Sequence, residues 1–242
     1  MEPMSYKDLI TRIKNIKSEN LGINSKKLYS SYELLWLYMQ KQEAHEKRFE
    51  AVLATGHHGT EKAGVEALVQ FVEENKDNEG LLNTYNFTIF PLINPWGYNF
   101  SYYNPDGKNI NADYLYKKTF EARIVSGILL RKRKYDLAIV LHSDKKLDGF
   151  FLFIASKLHG RKQRHEFAKE IIHALENQEI KSAKDCIVNK LFEPPDHFDT
   201  FLSDMGALSL TFETNDKDHF DTQVAAHKKA IELALENYLK LR

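Results

Sequence analysis

The chain has one cysteine, Cys186, among 242 residues, so no intrachain disulfide can form. It has no net charge: Lys plus Arg and Asp plus Glu each number 34. That balance gives no support for a nucleic-acid partner or an anionic membrane surface. No apolar run approaches the ~18 residues of a membrane helix. The opening stretch, MEPMSYKDLITRIKNIKSEN, lacks the apolar core of a secretory signal. These absences predict a soluble, cytoplasmic chain. There are no repeats, no low-complexity tract and no Pro/Gly/Ser linker. A single domain is therefore expected over 1–242, with an N-terminal helix and edge strand in 1–45 and the core in 49–242.

What is present suits a packed core: 43% hydrophobic and 12% aromatic residues. SYKDLITRIKNI spaces Leu9, Ile10 and Ile13 for a short amphipathic helix. YELLWLYMQ, RFEAVLATG, NFTIFPLINP, YDLAIVLHS, GFFLFIAS and MGALSLTFETN read as strands. GVEALVQFVEENK, YLYKKTFEARIVSGILLRKRK, RKQRHEFAKEIIHALENQ and QVAAHKKAIELALENYLKLR read as wholly or mostly helix. Apolar strands alternating with helices predict an α/β fold, a mostly parallel mixed sheet with helices on both faces. In such sheets ligands bind beyond the C-terminal ends of the strands.

That rule gives meaning to ATGHHGTEKAG, residues 54–64. His58 and Glu61 follow one strand end. His142 and Ser143 close YDLAIVLHS, and Glu213 closes ALSLTFET. Two imidazoles and a carboxylate make a three-ligand zinc site with a fourth position for water. A further carboxylate could take that water's proton. Singly, each of these residues could be an ordinary hydrogen-bonded one. His173 and Glu176 repeat the H-x-x-E spacing in mid-helix, where three-apart residues are neighbours anyway. The order and spacing of all four together point to chemistry.

At this point the sequence resembles the zinc metallocarboxypeptidases, the carboxypeptidase A-like family, over roughly residues 50–215. GHHGTE, INPWGYNFSYYNPDGKNINADY, LAIVLHS and LSLTFET carry the resemblance. It implies that His58, Glu61 and His142 bind one zinc ion and that Glu213 is general base and then acid. It also implies that Asn111 holds a substrate carboxylate and that Ser143 is the small residue beside the third ligand. Three departures stand out. Ala112 replaces the arginine that follows the asparagine. The earlier, carbonyl-polarising arginine is absent, with Tyr103 nearest its place. The tyrosine of the loop before the last strand is missing near Leu191 and Phe192.

Other groups are less specific. Lys145 and Lys146 could face a substrate anion or belong to a solvated loop. His197 could donate a proton, SYY at 101–103 could wall the cleft, and RKRK at 131–134 reads as a solvated helix end. Cys186 reads as a small buried hydrophobe. The sequence thus predicts a zinc-dependent hydrolase of amide bonds acting on peptides, cell-wall peptides among them, with no nucleic-acid or membrane partner. An N-acyl amino acid deacylase of the aspartoacylase type and a non-catalytic zinc- and ligand-binding protein are the alternatives.

Overall fold

The computed structural model describes residues 2–29, 31–42, 47–132, 134–146, 148–190 and 195–241. The chain opens with α1 (Tyr6–Asn15), β1 (Leu21–Lys27), β2 (Glu33–Met39), β3 (Phe49–Thr55) and α2 (Lys62–Asn75). There follow α3 (Glu79–Thr84), β4 (Tyr85–Leu92), α4 (Gly97–Phe100), α5 (Phe120–Leu129) and β5 (Leu137–Asp144). The last part holds β6 (Phe150–Ala155), α6 (Arg161–Glu176), β7 (Ser182–Lys190), α7 (Phe198–Asp204), β8 (Leu208–Asn215) and α8 (Phe220–Lys240). The strands form one eight-stranded sheet in the order β1-β2-β4-β3-β5-β8-β6-β7. Its centre, β4-β3-β5-β8, is parallel, as is the β6·β7 pair, while β1, β2 and the β6·β8 pair run antiparallel. This is the mixed, mostly parallel α/β sheet that the sequence predicts.

Parallel central strands are buried on both faces; β5 answers this with the apolar run LAIVL, while β8 buries Ser209 and Thr211 between its apolar residues. In β5, Leu137, Ile139 and Leu141 join the core under α1, α2, α6 and α8. Ala138 and Val140 join the second core, under α5 and α7. Strand alternation then turns His142 toward the α5/α7 face. In β8, Leu208, Leu210 and Phe212 face the first core, so Glu213 also turns to the α5/α7 face. Burying each Leu, Ile or Phe of these runs contributes roughly 1.5–3 kcal/mol. The core thus also sets which face each polar strand-end residue takes.

Three expectations change. The sequence reading has one edge strand before residue 45; the structure has two strands there, with half-exposed LGINSKK as the edge and the apolar β2 inside it. Among the described residues of 114–134, the helix covers Phe120–Leu129. Lys117 takes a positive φ of 53°, Asp113 accepts from the Thr119 N–H, and the Thr119 side chain caps the helix at Ala122 N. The polar strand β7, SAKDCIVNK, forms the other edge; Cys186 in it is half-buried against the main core. Among the described residues no helix is long and apolar enough to cross a membrane.

Candidate metal centre

The turn after β3 is shaped by close backbone approach. Gly56 has φ 68°, and a Cβ there would lie 2.7 Å from Leu92 Cδ1. Gly59 lies flat against the turn before α4: a Cβ on it would fall 1.9 Å from the carbonyl carbon of Gly97. That turn is organised by buried Asn94, whose Oδ1 accepts from Gly97 N at 2.9 Å and whose Nδ2 donates to Tyr102 O at 3.4 Å. Gly59 N donates to the same Tyr102 carbonyl at 3.3 Å. Gly59→Ala is therefore expected to destabilise the fold by ~1–3 kcal/mol or more, since backbone, not a flexible side chain, must give way. In thermal denaturation that is a fall of ~2–4 °C per kcal/mol for a chain of this size. An unchanged melting temperature would contradict the packing described.

The turn delivers His58 and Glu61 to the end of β5. Glu61 occupies the N-cap position of α2, yet its side chain caps no backbone N–H. Instead Oε1 lies 2.7 Å from His58 Nδ1 and Oε2 lies 2.7 Å from His142 Nδ1. One ligand atom from each of the three residues fits within a 4.8 Å span, and all three residues are buried. Burial pushes the Glu61 carboxyl up, but the two imidazoles outweigh it and bring it to about 2. Burial lowers His142, with Glu61 opposing. The set at neutral pH is thus an anionic carboxylate with a neutral His142, the protonation state a metal requires.

A further residue bears on whether a metal fits. Asn109 Oδ1 lies 3.1 Å from His58 Nε2 and accepts from Asn111 N at 2.9 Å. A backbone N–H fixes that amide orientation, so Asn109 presents an acceptor to His58 Nε2 and turns Nδ1 toward Glu61 and the cluster. Outer hydrogen bonds of this kind orient metal-ligating histidines. Three donors of the right type, with one imidazole oriented from outside, fit a divalent zinc-like cation. The sequence reading did not single out Asn109; its signal was the place two residues before Asn111.

The other predicted residues fall as follows. Glu213 pairs in register with His142 and turns to the same face. Asn111 is half-buried, its carbonyl accepting from Phe198 N at 3.1 Å. Ser143 pairs in register with Thr214, whose hydroxyl bonds Gln223 and His227 of α8. Its side chain therefore lies on the opposite face from His142 and does not join the cluster. Lys145 stands in solvent, 81% exposed, with Nζ 3.9 Å from Asp216. Tyr103 is exposed and meets Tyr102 edge-on at 5.0 Å. It is Tyr102, not Tyr103, that reaches the cluster: its ring stacks on His58 with centroids 3.8 Å apart and planes 12° apart.

His57 points elsewhere. It is fully buried, with Nε2 3.1 Å from Tyr114 Oη and its ring stacked on His142 at 5.5 Å. Burial holds it well below the usual histidine range, and neighbouring histidines push it the same way. His197 bonds Asp196 at 3.0 Å at the start of α7. His173 and Glu176 lie on α6, away from the cluster, with Glu176 accepting from Ser182 Oγ. The Asn-Pro-Asp-Gly turn is built on buried Asn104, whose Oδ1 accepts from Asp106 N and Lys108 N. The departure expected at Leu191 and Phe192 lies outside the described residues.

A sequence model described as zinc carboxypeptidase (peptidase M14) matches residues 21–143, just over half of the chain. The match includes His58, Glu61, Asn111 and His142 and ends before Glu213. No curated protein sequence matches significantly. Solved structures extend the likeness to the rest of the fold. A candidate metallopeptidase from Shewanella amazonensis SB2B is 20% identical with a TM-score of 0.77, covering 96% of this chain and 91% of its own. Thrombin activatable fibrinolysis inhibitor is 18% identical with a TM-score of 0.76, covering 99% and 78%. A metallo-carboxypeptidase from Pseudomonas aeruginosa, in complex with (2-guanidinoethylmercapto)succinic acid, is 14% identical with a TM-score of 0.75, covering 98% and 69%.

Proposed function

Because the chain belongs to the zinc carboxypeptidase family, we propose that it is a zinc-dependent hydrolase of peptide or related amide bonds. The observation that supports this best is the convergence of His58, Glu61 and His142 within 4.8 Å, beside a carboxylate in register on the same face. The three residues would hold one zinc ion, which when bound acidifies water and polarises a carbonyl. Glu213 takes the proton of the attacking water and passes it to the leaving nitrogen as the C–N bond breaks. Metal capture alone has no use for this fourth group. Asn111 would hold one polar end of the substrate.

Ala112 sets the specificity. An arginine fork matches a free C-terminal carboxylate, and here its position carries a methyl group. Lys145, the nearest alternative in the sequence, stands in solvent facing Asp216. Losing a charge-assisted bond of this kind costs on the order of 1.5–3 kcal/mol, about one to two decades in affinity. Matched peptides with free and amidated C-termini are therefore expected to show similar kcat/KM. In Ala112→Arg the free acid should gain about one to two decades over the amide. A strong preference of the wild type for the free acid, surviving Lys145→Ala and Lys146→Ala, would show that another cation occupies the clamp. Assay of zinc-loaded protein on a panel of peptides, cell-wall peptides and N-acyl amino acids tests the activity itself. No turnover on any of them would contradict it.

A further inference from the structure

We propose that Tyr102 is a catalytic residue whose phenol O–H donates a hydrogen bond to the substrate's carbonyl oxygen as that oxygen gains negative charge. The proposal rests on the amide-hydrolase reading above and names the group that replaces the absent cation. The stretch 97–106, GYNFSYYNPD, holds no arginine or lysine, so any donor it supplies to the cluster is neutral.

Four observations single out Tyr102. Its ring lies flat on a ligand of the cluster, 3.8 Å from His58. Its carbonyl accepts from Gly59 N of the same turn and from Asn94 Nδ2 of the turn before α4, so ring and backbone are both held to the metal loop. It is nonetheless 37% exposed, and it forms the layer between buried His58 and solvent, where a substrate must arrive. Among the described residues no hydrogen bond engages its hydroxyl, whereas the hydroxyls of Tyr98 and Tyr114 are engaged with Met4 and His57. A neutral donor aimed at developing charge in a desolvated site is a strong source of transition-state stabilisation.

The step balances without a further reactant. The water oxygen bonds to the carbonyl carbon, and the C=O π pair moves to the oxygen, where the Tyr102 O–H stabilises it and keeps its own proton. Glu213 holds the proton released by the water. On collapse the C=O bond re-forms and the C–N bond breaks. Glu213 gives the proton to the nitrogen, leaving an acid and an amine.

Tyr102→Phe keeps the ring on His58 and removes only the hydroxyl. Zinc-loaded Tyr102→Phe should lose ~10²–10³-fold in kcat/KM on the peptide panel, mainly in kcat. Affinity for a phosphonamidate dipeptide, whose tetrahedral oxygens mimic the charged state, should fall by a similar factor. Zinc content should not change, and Tyr116→Phe, an exposed tyrosine, should match the wild type throughout. Activity and phosphonamidate affinity both within about twofold of wild type would overturn the assignment, as would loss of zinc, which would make the residue a support for His58. If the wild type holds zinc yet hydrolyses nothing on the panel, the hydrolase reading fails and the binding measurement alone decides. Weaker phosphonamidate binding in Tyr102→Phe would then uphold the donor, and equal or absent binding would overturn it.

Discussion

Glu213→Gln is expected to keep its fold and its zinc while losing at least ~10²–10⁴-fold in turnover. The substitution preserves shape and removes only the capacity to carry a proton. In the proposed mechanism that capacity is used twice, once on the attacking water and once on the leaving nitrogen. Glu213 sits opposite His142 across the β5·β8 pairing and is not one of the three clustered ligands, so metal content should be insensitive to the change. Steady-state kinetics with metal analysis on the same sample separate the two effects. Comparable activity in the variant would exclude Glu213 as the proton carrier. A dead variant without zinc would place it in the metal sphere instead.

The candidate residues that stand out in the sequence share a physical cause. β3, β5 and β8 are buried on both faces toward their C-terminal ends, so ionisable residues there stand out against apolar and small neighbours. His58, Glu61, His142 and Glu213 are legible because burial leaves so few reasons for them to be there. Alternation along β5 and β8 also allows the face of His142 and Glu213 to be worked out from the two cores. The edges lack this contrast. β1 and β7 are half-exposed and rich in Ser, Lys and Asn, and neither shows a pattern that marks a strand. The start of α5 is hidden for a different reason: YLYKK has ordinary helix propensity, and the bond from Thr119 N to Asp113 with the positive φ at Lys117 holds it as a turn, so that the helix begins only after Thr119.

The choice between Tyr102 and Tyr103 shows the limit of spacing. Tyr102 and Tyr103 form a bend, with no strand or helix period to say which ring turns inward. The bonds from Gly59 and Asn94 to the Tyr102 carbonyl decide it, and the first comes from a turn distant in sequence. Alternation puts Ser143 on the opposite face of β5 from His142, and Glu213 on the same face. Lys145, one residue past the end of β5, is drawn to Asp216 at the end of β8.

The metal itself offers the second large effect. His142→Ala removes one of three ligands, where even loss of an outer hydrogen bond typically costs ~10–100-fold in metal affinity. The loss should therefore exceed that range. His142 is buried and stacked on His57, so its removal also leaves a cavity, and circular dichroism must show that the variant is folded. The decisive measurement is the zinc content of purified wild-type and His142→Ala protein after dialysis against the same chelator. The wild type should retain close to one equivalent (~1) and the folded variant almost none, since structural and catalytic sites of this type need all three protein ligands. Equal zinc in the two proteins would contradict the His58–Glu61–His142 centre and turn attention to His57 or His197.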